Sequence, residues 1–590
     1  MKHAATHLHA LVDMGSNGIR FSITTLAPPT ARITPTLYQV RAGISLYDAQ
    51  YPASSKGVRQ PINGATISAV VTAFRGFKRA CGDFGVPEGN VTVLATEATR
   101  TAINGPEFMD QIREAVGWEV RLLAKEEEGR VGAMGVASSL PEVRGLVMDL
   151  GGGSTQLSWL DRGRMPLDGA VSMPYGAAAL TRRLGEAEAK GRKAVDELQA
   201  EVRETVKAAY EGLRVPEELL EQAEKEDGFT LYLSGGGFRG WGYVLMSQHQ
   251  VTPYPIPVIN GFKVSRKDFL SIDVVQQAAA AVLEGDGQGS DDIFRISDRR
   301  AGQVPAVAFL VTALSQALPQ VKEVRFCQGG VREGYLFSSL PAEIQTQHPL
   351  VVATQPFDVR GTSQSMTSLL LSAFPPDPST GAQNDYKATF TPDLLHAFAN
   401  LMYHHSSHSK DLQATSALRS TTSGVLAGVH GILHESRALL GLLLCARWGA
   451  AVPPSDEPFK QNLERIVELD LQPGAGGRGS WTLWWINYLG AVAALVGEVF
   501  PAGFVEGAAD RLRLQAKWDR DEEKKGRVML ALEVSFGAGL VDGPGGAVDG
   551  AFGKAIKGVE KVGKRKRWVG GRDGAGFRID VRVVDSPSHL

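Results

Sequence analysis

Two apolar runs that end in aspartate and turn through glycine constrain this chain more than any other feature. The first reads LVDMGSNGIR, with Asp13, Gly15, Ser16 and Asn17; the second reads GLVMDLGGGSTQLSW, with Asp149, Gly151, Gly152, Gly153, Ser154 and Thr155. A strand that ends in Asp and turns through Gly presents backbone N–H groups and a hydroxyl to an anion, and its carboxylate can hold a metal. Glycine is needed because a Cβ would keep the backbone from approaching phosphate oxygens. One such loop is a weak signal. Two, each followed by alternating apolar residues suited to a hairpin, predict two opposed phosphate clamps around one ligand.

At 590 residues the chain exceeds one core, and roughly three to four domains are expected. A formal net charge of −2 gives no general attraction to nucleic acid or an anionic membrane, so neither is expected as a direct partner. Cys81, Cys327 and Cys445 are sparse and unspaced, which argues for reduced core thiols in a reducing compartment, the cytoplasm. The start, MKHAATHLHALVD, lacks a long apolar core and is expected to be a short tail entering the first strand. Ala438 to Ala446 is too short to span a bilayer, and Tyr488 to Phe500 is interrupted by Glu498, so no membrane span is expected.

Apolar spacing predicts a helix over residues 66–85, a buried strand from Val91 to Thr96, a strand from Glu119 to Leu123, and a helix opened by Glu126, Glu127 and Glu128. Alternation of strand and helix up to Asp149 is an α/β pattern. Beyond it come a strand from Gln156 to Leu160, one long charged helical tract over 190–225, and a strand from Phe229 to Leu233 entering a third glycine-rich turn, Ser234 to Gly242. A helix over 305–317 and a strand from Val324 to Cys327 follow. Residues 360–505 are helix-rich, with loops at 374–386 and 471–480. From Arg511 the period becomes two: Leu512, Leu514, Ala516 and Trp518, then Val528, Leu530, Leu532 and Val534 after a DRDEEKKG turn, which predicts a hairpin. A short helical piece at 550–562 and a strand from Phe577 to Val583 close a small α+β unit.

Several ordered motifs carry a resemblance. DMGSNGIR, LATEATRTAIN (Leu94 to Asn104), LLAKEEEGRVGAMGV, DLGGGST, RRAGQVPAVAFLV (Arg299 to Val311) and GGVREGYL (Gly329 to Leu336) resemble, in order, the signatures of the exopolyphosphatase/guanosine pentaphosphate phosphohydrolase (Ppx/GppA) family. The resemblance implies a two-lobed actin-like ATPase (ribonuclease H-like) fold of the α/β class, with lobe I at 8–160 and lobe II at 161–345. A helical domain at 346–505 and a small α+β domain at 506–590 would follow. The last helix after GGVREG would cross back to the first lobe. It also implies that Glu128, aligned through Arg130 and Met134-Gly135-Val136, activates a water for attack on a terminal phosphoryl group. Asp13 and Asp149 would face Mg²⁺. Arg100, the Gly15–Asn17 and Gly151–Thr155 loops, and Gly235, Gly236 and Gly237 of the third cluster would hold ATP or another polyphosphorylated ligand. Such transfer needs the oxygens cradled, the charge neutralised and the water aimed in line.

The departures from the pattern narrow the reading. The second loop ends STQ where the family has STE, so Gln156 stands where a carboxylate is expected near metal and water; metal binding and water activation should weaken. Gly302 stands where a later signature carries Asp, and SGGGFRGWG replaces a shorter Gly-Thr pattern. Together these resemble the fungal retrograde regulation branch, which implies sensing of mitochondrial state and relief of a block on helix-loop-helix transcription factors. RALLGLLLCARWG and WWINYLGAVAALVGEVFP are reminiscent of the helical addition of bacterial exopolyphosphatases, yet no His-Asp dipeptide is present, so a second metal-dependent active site is not expected. His430 and His434 have a spacing that can bind metal, but no acidic pattern joins them, nor His396, His404, His405 and His408, and ordinary helix histidines are favoured. The basic run Lys561, Lys564 to Arg567 is favoured as a solvated turn. Two functions stand. One is a nucleotide- or polyphosphate-binding regulator that recruits protein partners through its C-terminal domains. The other is a working Mg²⁺-dependent phosphohydrolase on polyphosphate or a nucleotide terminal phosphate. A homodimer stays open.

Overall fold

A computed structural model of the chain describes residues 5–55, 57–166, 170–285, 293–358, 360–376, 386–470, 478–505, 511–521, 527–537, 550–571 and 574–584. The first apolar run is strand β1 (Leu8–Gly15), which folds back as β2 (Gly18–Thr25). With β3 (Thr36–Ala42), β4 (Val91–Ala95) and β5 (Val120–Leu122) it makes a five-stranded sheet ordered β3-β2-β1-β4-β5. The second run repeats the hairpin as β6 (Arg144–Leu150) and β7 (Thr155–Asp161). Joined by β8 (Val171–Met173), β9 (Phe229–Ser234), β10 (Lys263–Ser265) and β11 (Val321–Phe326), it makes a six-stranded sheet ordered β10-β11-β9-β6-β7-β8.

Without the edge strand β10, the two sheets have one plan. In each, the Asp-bearing strand is central, its hairpin partner lies on one side, and parallel strands lie on the other. The register repeats as well: Asp13 opposes Arg20, and Asp149 opposes Gln156. The two-lobed α/β arrangement implied by the resemblance is present. One boundary differs from expectation. Residue 160 lies inside the second sheet, because β6 and β7 pair with β9 and β8, so the chain changes lobe between β5 and β6.

Both faces of β1 are apolar because both are covered. Ala10, Val12 and Met14 pack with Phe74 and Phe77 of helix Gly64–Phe84 and with Phe108 and Ile112 of helix Gly105–Val116. Leu11, from the other face, packs with Leu94, Leu123 and Leu336. Leu336 belongs to helix Val331–Ser338, so the helix after GGVREG does return to the first lobe. The helix Lys125–Ser138, which carries the glutamates, packs Ala133 and Val136 on Val147, Leu160 and Tyr232 of the second sheet. The two helices pack Phe337 on Met134 and Ala137, and glycines let their backbones approach closely. A Cβ on Gly334 would fall 1.8 Å from the Val131 carbonyl, and one on Gly135 would fall 2.3 Å from the Gly330 carbonyl.

Two local expectations are corrected. The tract 190–225 is not one helix: Arg214 (φ +48°) and Pro216 split it into Arg192–Gly212 and Glu217–Lys225, and Gly191 (φ +100°) separates it from the preceding helix Ala177–Lys190. The third glycine cluster is not a turn but the start of a helix, Gly235–Ser247, entered directly from β9. The glycines serve packing as much as turning, since a Cβ on Gly237 would meet the Leu150 side chain at 2.4 Å. Cys81, Cys327 and Cys445 are buried and unpaired.

By contacts between Cα atoms the chain divides into two units. The first holds residues 1–250, 258–349 and 430–433, and the second 251–257, 350–429 and 434–590. In the second, helices that include Ser363–Leu371, Pro392–Leu401, His434–Arg447 and Arg478–Val499 are followed by β12 (Leu512–Asp521), β13 (Arg527–Phe536), helix Ala551–Val562 and β14 (Arg578–Val583). The hairpin has the expected register, Trp518 opposite Leu530, and β14 adds parallel to β13. Much of the loops expected at 374–386 and 471–480, most of the DRDEEKKG turn and the start of the connector after β13 lie outside the described residues.

The terminal sheet and the helices share aromatic side chains. Trp485 sits 4.8 Å from Tyr386, 6.3 Å from Trp518 and 6.4 Å from Phe577, centroid to centroid, and Trp484 sits 5.4 Å from Phe577. Gly479–Val499 is long and apolar enough to cross a membrane by length and composition, with 78% of its apolar window buried in the protein. Burial of this kind accounts for its composition. Trp485 is 1% exposed, and Trp485→Ala should destabilise the second unit by about 3–5 kcal/mol, read from its unfolding transition in denaturant.

Candidate functional site

The first loop is held by its carbonyls. Ser16 O accepts from Tyr47 N–H (3.0 Å) and the Ser45 hydroxyl (3.3 Å), and Asn17 O accepts from Arg41 Nη2 (2.7 Å). A trans peptide points its C=O and N–H in opposite directions, so the Asn17 N–H turns away from the Ser16 anchor. The second loop follows the same rule more completely. The carbonyls of Gly151, Gly152 and Gly153 accept from Ala177, from Ala178 and Ala179, and from Gly176, at the N-terminus of helix Ala177–Lys190. The N–H groups of Gly152, Gly153 and Ser154 therefore point the other way and make a concavity suited to an anion. The loops meet each other. A Cβ on Gly152 would lie 2.6 Å from Asn17 Nδ2, and one on Gly153 would lie 2.0 Å from Glu97 Oε2.

Asp13 and Asp149 stand at the ends of the equivalent strands. Burial pushes both carboxyls above their ordinary range, and the Asp149 charge pushes Asp13 further. Asp149 Oδ2 accepts from the Ser234 hydroxyl at 2.8 Å, which opposes the rise. Among the described residues neither has an ion-pair partner, and no group of three or more His, Cys, Asp or Glu is arranged around a metal. Two hard carboxylates lacking a cation, with ligand and water to complete the shell, fit Mg²⁺, which binds through one or two carboxylates and phosphate oxygens.

Glu128 lies in the first turn of its helix, where the dipole favours a carboxylate. Its side chain is 12% exposed and pairs with Arg100 at 3.1 Å. Burial raises it to about 7, against the opposing pull of Arg100. Arg100 also donates to Leu123 O (2.6 Å), while its Nε and Nη2 are buried without partners. Two unsatisfied buried donors on one guanidinium fit an anion. Glu126 and Glu127 do not share this setting; Glu127 pairs with Arg121 at the surface.

Gln156 is buried and donates from Nε2 to Ser154 Oγ at 2.8 Å, so it braces the second loop. Thr155 Oγ1 donates to Tyr175 O and is likewise structural. Of the third cluster, Gly235 and Gly237 are tight contacts to Asp149 and Leu150, and only Gly236 has open space around it. Gly15 pairs with Gly18 at the first turn. His430 bonds Ser138 through Nε2 at 2.9 Å.

The Ppx/GppA phosphatase family profile matches residues 30–343. The chain belongs to that family. Its Ppx/GppA region is followed by a match to the RTG2 C-terminal domain over residues 348–586. Retrograde regulation protein 2 of Saccharomyces cerevisiae is 40% identical over 505 residues, covering 84% of this chain and 82% of that protein. Among solved structures, the Ppx/GppA family member of Aquifex aeolicus covers 56% of this chain and 96% of its own at 21% identity, with a TM-score of 0.43. An exopolyphosphatase from Cytophaga hutchinsonii covers 56% and 97% at 17% identity, with a TM-score of 0.42.

Sequence reasoning missed several groups in the Ppx/GppA site. Ser234 on Asp149 was read only as the edge of a glycine turn. Glu97, 3.4 Å from Ser16 Oγ, sits between the loops. Arg32 is buried and donates to Ser138 O (3.2 Å) and Leu140 O (3.0 Å), holding the C-terminal end of the Glu128 helix. Glu97 lies inside the motif Leu94 to Asn104 without being singled out there, and Arg32, in PPTARITPT, carries no local signal.

Proposed function

We propose that this protein is a regulator of the retrograde-signalling type that binds a polyphosphorylated ligand, such as ATP or polyphosphate, with Mg²⁺ between its two loops. The observation that carries this is the pair of equivalent hairpins, each presenting an aspartate and an anion-binding loop to the other. The 40% identity to Retrograde regulation protein 2 supports the regulatory part. Asp13 and Asp149 would hold the ion, which supplies charge neutralisation at the phosphates. The loop N–H groups and Arg100 would orient the oxygens, and Glu128 would take a proton from water. Ligand-dependent lobe closure gives two states that a protein partner can distinguish, with the C-terminal unit as the recruiting surface and the cytoplasm as the setting.

Calorimetry with ATP, GTP and long-chain polyphosphate, run beside phosphate release, tests this. Tight binding with little turnover is expected; absence of binding to every phosphate ligand would sink it. Hydrolysis is the second reading, kept by the retained Glu128 and Arg100. If the lost carboxylate limits turnover, Gln156→Glu should raise phosphate release by roughly ten- to a hundredfold. An unchanged rate would remove that explanation.

A further inference from the structure

One carboxylate stands where the two loops meet, and no cation answers it. Glu97 opens the short helix Glu97–Arg100, which follows β4. The backbone on either side of it is pinned: Thr96 Oγ1 donates to Met14 O at 3.3 Å, and Gln50 Nε2 donates to Ala98 O at 2.8 Å. From there the side chain reaches across. A Cβ on Gly153 of the second loop would come 2.0 Å from Glu97 Oε2 and 3.3 Å from Ser16 Oγ of the first. Carboxylate, loop hydroxyl and loop glycine crowd into one place. Glycine is needed at 153 because Glu97 fills the space that a side chain would take.

That carboxylate is poorly compensated. Among the described residues its side chain accepts only from Ser16 Oγ, at a long 3.4 Å, and makes no ion pair. The arginine of its own helix, Arg100, is committed to Glu128 at 3.1 Å and to Leu123 O. Glu97 is half-buried, so water and salt screen it only in part. A phosphoryl group held by the N–H groups of either loop would lie within roughly 4–6 Å of it, a spacing at which like charges act strongly on each other. For a bare phosphate the carboxylate is therefore a penalty. For a phosphate that arrives with a divalent cation it is a further partner for the positive charge.

We propose that Glu97 is a specificity-determining residue of the clamp, whose charge selects a phosphate ligand complexed to a divalent cation against the same ligand free of it. This rests on the phosphate-clamp reading above and names the charge state of the ligand that the site accepts. Asp13 and Asp149 would answer the ion at the strand ends. Glu97 adds its charge at the loops, where the phosphoryl oxygens would sit, so its contribution can be removed while the two aspartates stay in place.

Titration calorimetry of the full chain with ATP and with tripolyphosphate, each in Mg²⁺ and in excess EDTA, tests it in Glu97→Gln and Glu97→Ala. Gln keeps the shape of the side chain and can still accept from Ser16, and Ala leaves the space over Gly153 open, so the fold should accept both. Glu126→Gln makes the same charge change on an exposed carboxylate outside the site and serves as control. The parent should bind more tightly in Mg²⁺ than in EDTA. In both Glu97 variants affinity in EDTA should rise about tenfold or more, while affinity in Mg²⁺ stays within about threefold or falls. Glu126→Gln should leave the ratio of the two affinities within about twofold. No gain in EDTA in either Glu97 variant, an equal gain in EDTA and in Mg²⁺, or the same gain in Glu126→Gln would overturn the inference. If the parent protein bound neither ligand even in Mg²⁺, the clamp reading would fall first and take the inference with it.

Discussion

Glu128→Gln should leave ligand affinity within about twofold while lowering any phosphate release about 10²–10⁴-fold, because it removes a proton acceptor and keeps the side chain's shape. The effect should depend on pH in a defined sense. Burial raises the Glu128 carboxyl to about 7, so the base form is populated above that value and kcat/KM should fall as pH drops through it. The variant should lack that limb. Stability should move with it. A carboxyl raised above its unfolded value favours the folded state at low pH and loses that contribution as pH rises from 4.5 through about 7. Glu128→Gln should therefore gain stability relative to the parent more at pH 8 than at pH 5, measured by denaturant unfolding. A variant with parental turnover would mean that another group accepts the proton.

The parts of the site that were legible in sequence are those whose chemistry is local. Asp-Gly turns predict an anion loop because strand, carboxylate and N–H groups all lie within a few residues, and both loops are where the pattern put them. Glu128 was legible only through its flanking motif, since three consecutive glutamates are otherwise equivalent; burial and Arg100 are what single it out. Ser234 meets Asp149 across the β6–β9 register and Arg20 stands opposite Asp13 across β1–β2, so no short window shows either contact. The glycine run at 235–237 misled because a turn and a helix entered through close packing need the same residue. The lobe boundary misled for a related reason: the second hairpin resembles the first, but its pairing with β9 assigns it to the other sheet. In the C-terminal unit, Trp481, Trp484 and Trp485 are an apolar stripe by sequence. Their contacts with Phe577 and Trp518 make them a joint between helix and sheet.

Gly334→Ala should be among the most damaging single methyl additions to the first unit. The added Cβ would lie 1.8 Å from Val131 O and 2.6 Å from Gly135 N. Both are backbone atoms inside a helix, so no rotamer change relieves the overlap, and the helices Lys125–Ser138 and Val331–Ser338 must separate. About 3 kcal/mol or more of lost stability is expected. Function should suffer even in the fraction that folds. The first helix carries Glu128 and rests on the second sheet, while the second helix is anchored by Leu336 to the first sheet. Their separation shifts Glu128 relative to Asp13 on the first sheet, and a displacement near 1 Å is enough to lower a positioned reaction about 10²-fold. Gly76→Ala is the matched control: Gly76 is interior to helix Gly64–Phe84 with nothing within 4 Å of its Cβ position, so it should gain about 0.5–1 kcal/mol. Thermal unfolding of the pair separates the two causes. If both changes proved neutral or stabilising, the helix contact would be free to open, and the glycines would owe their place to something other than the close approach that seats the glutamate.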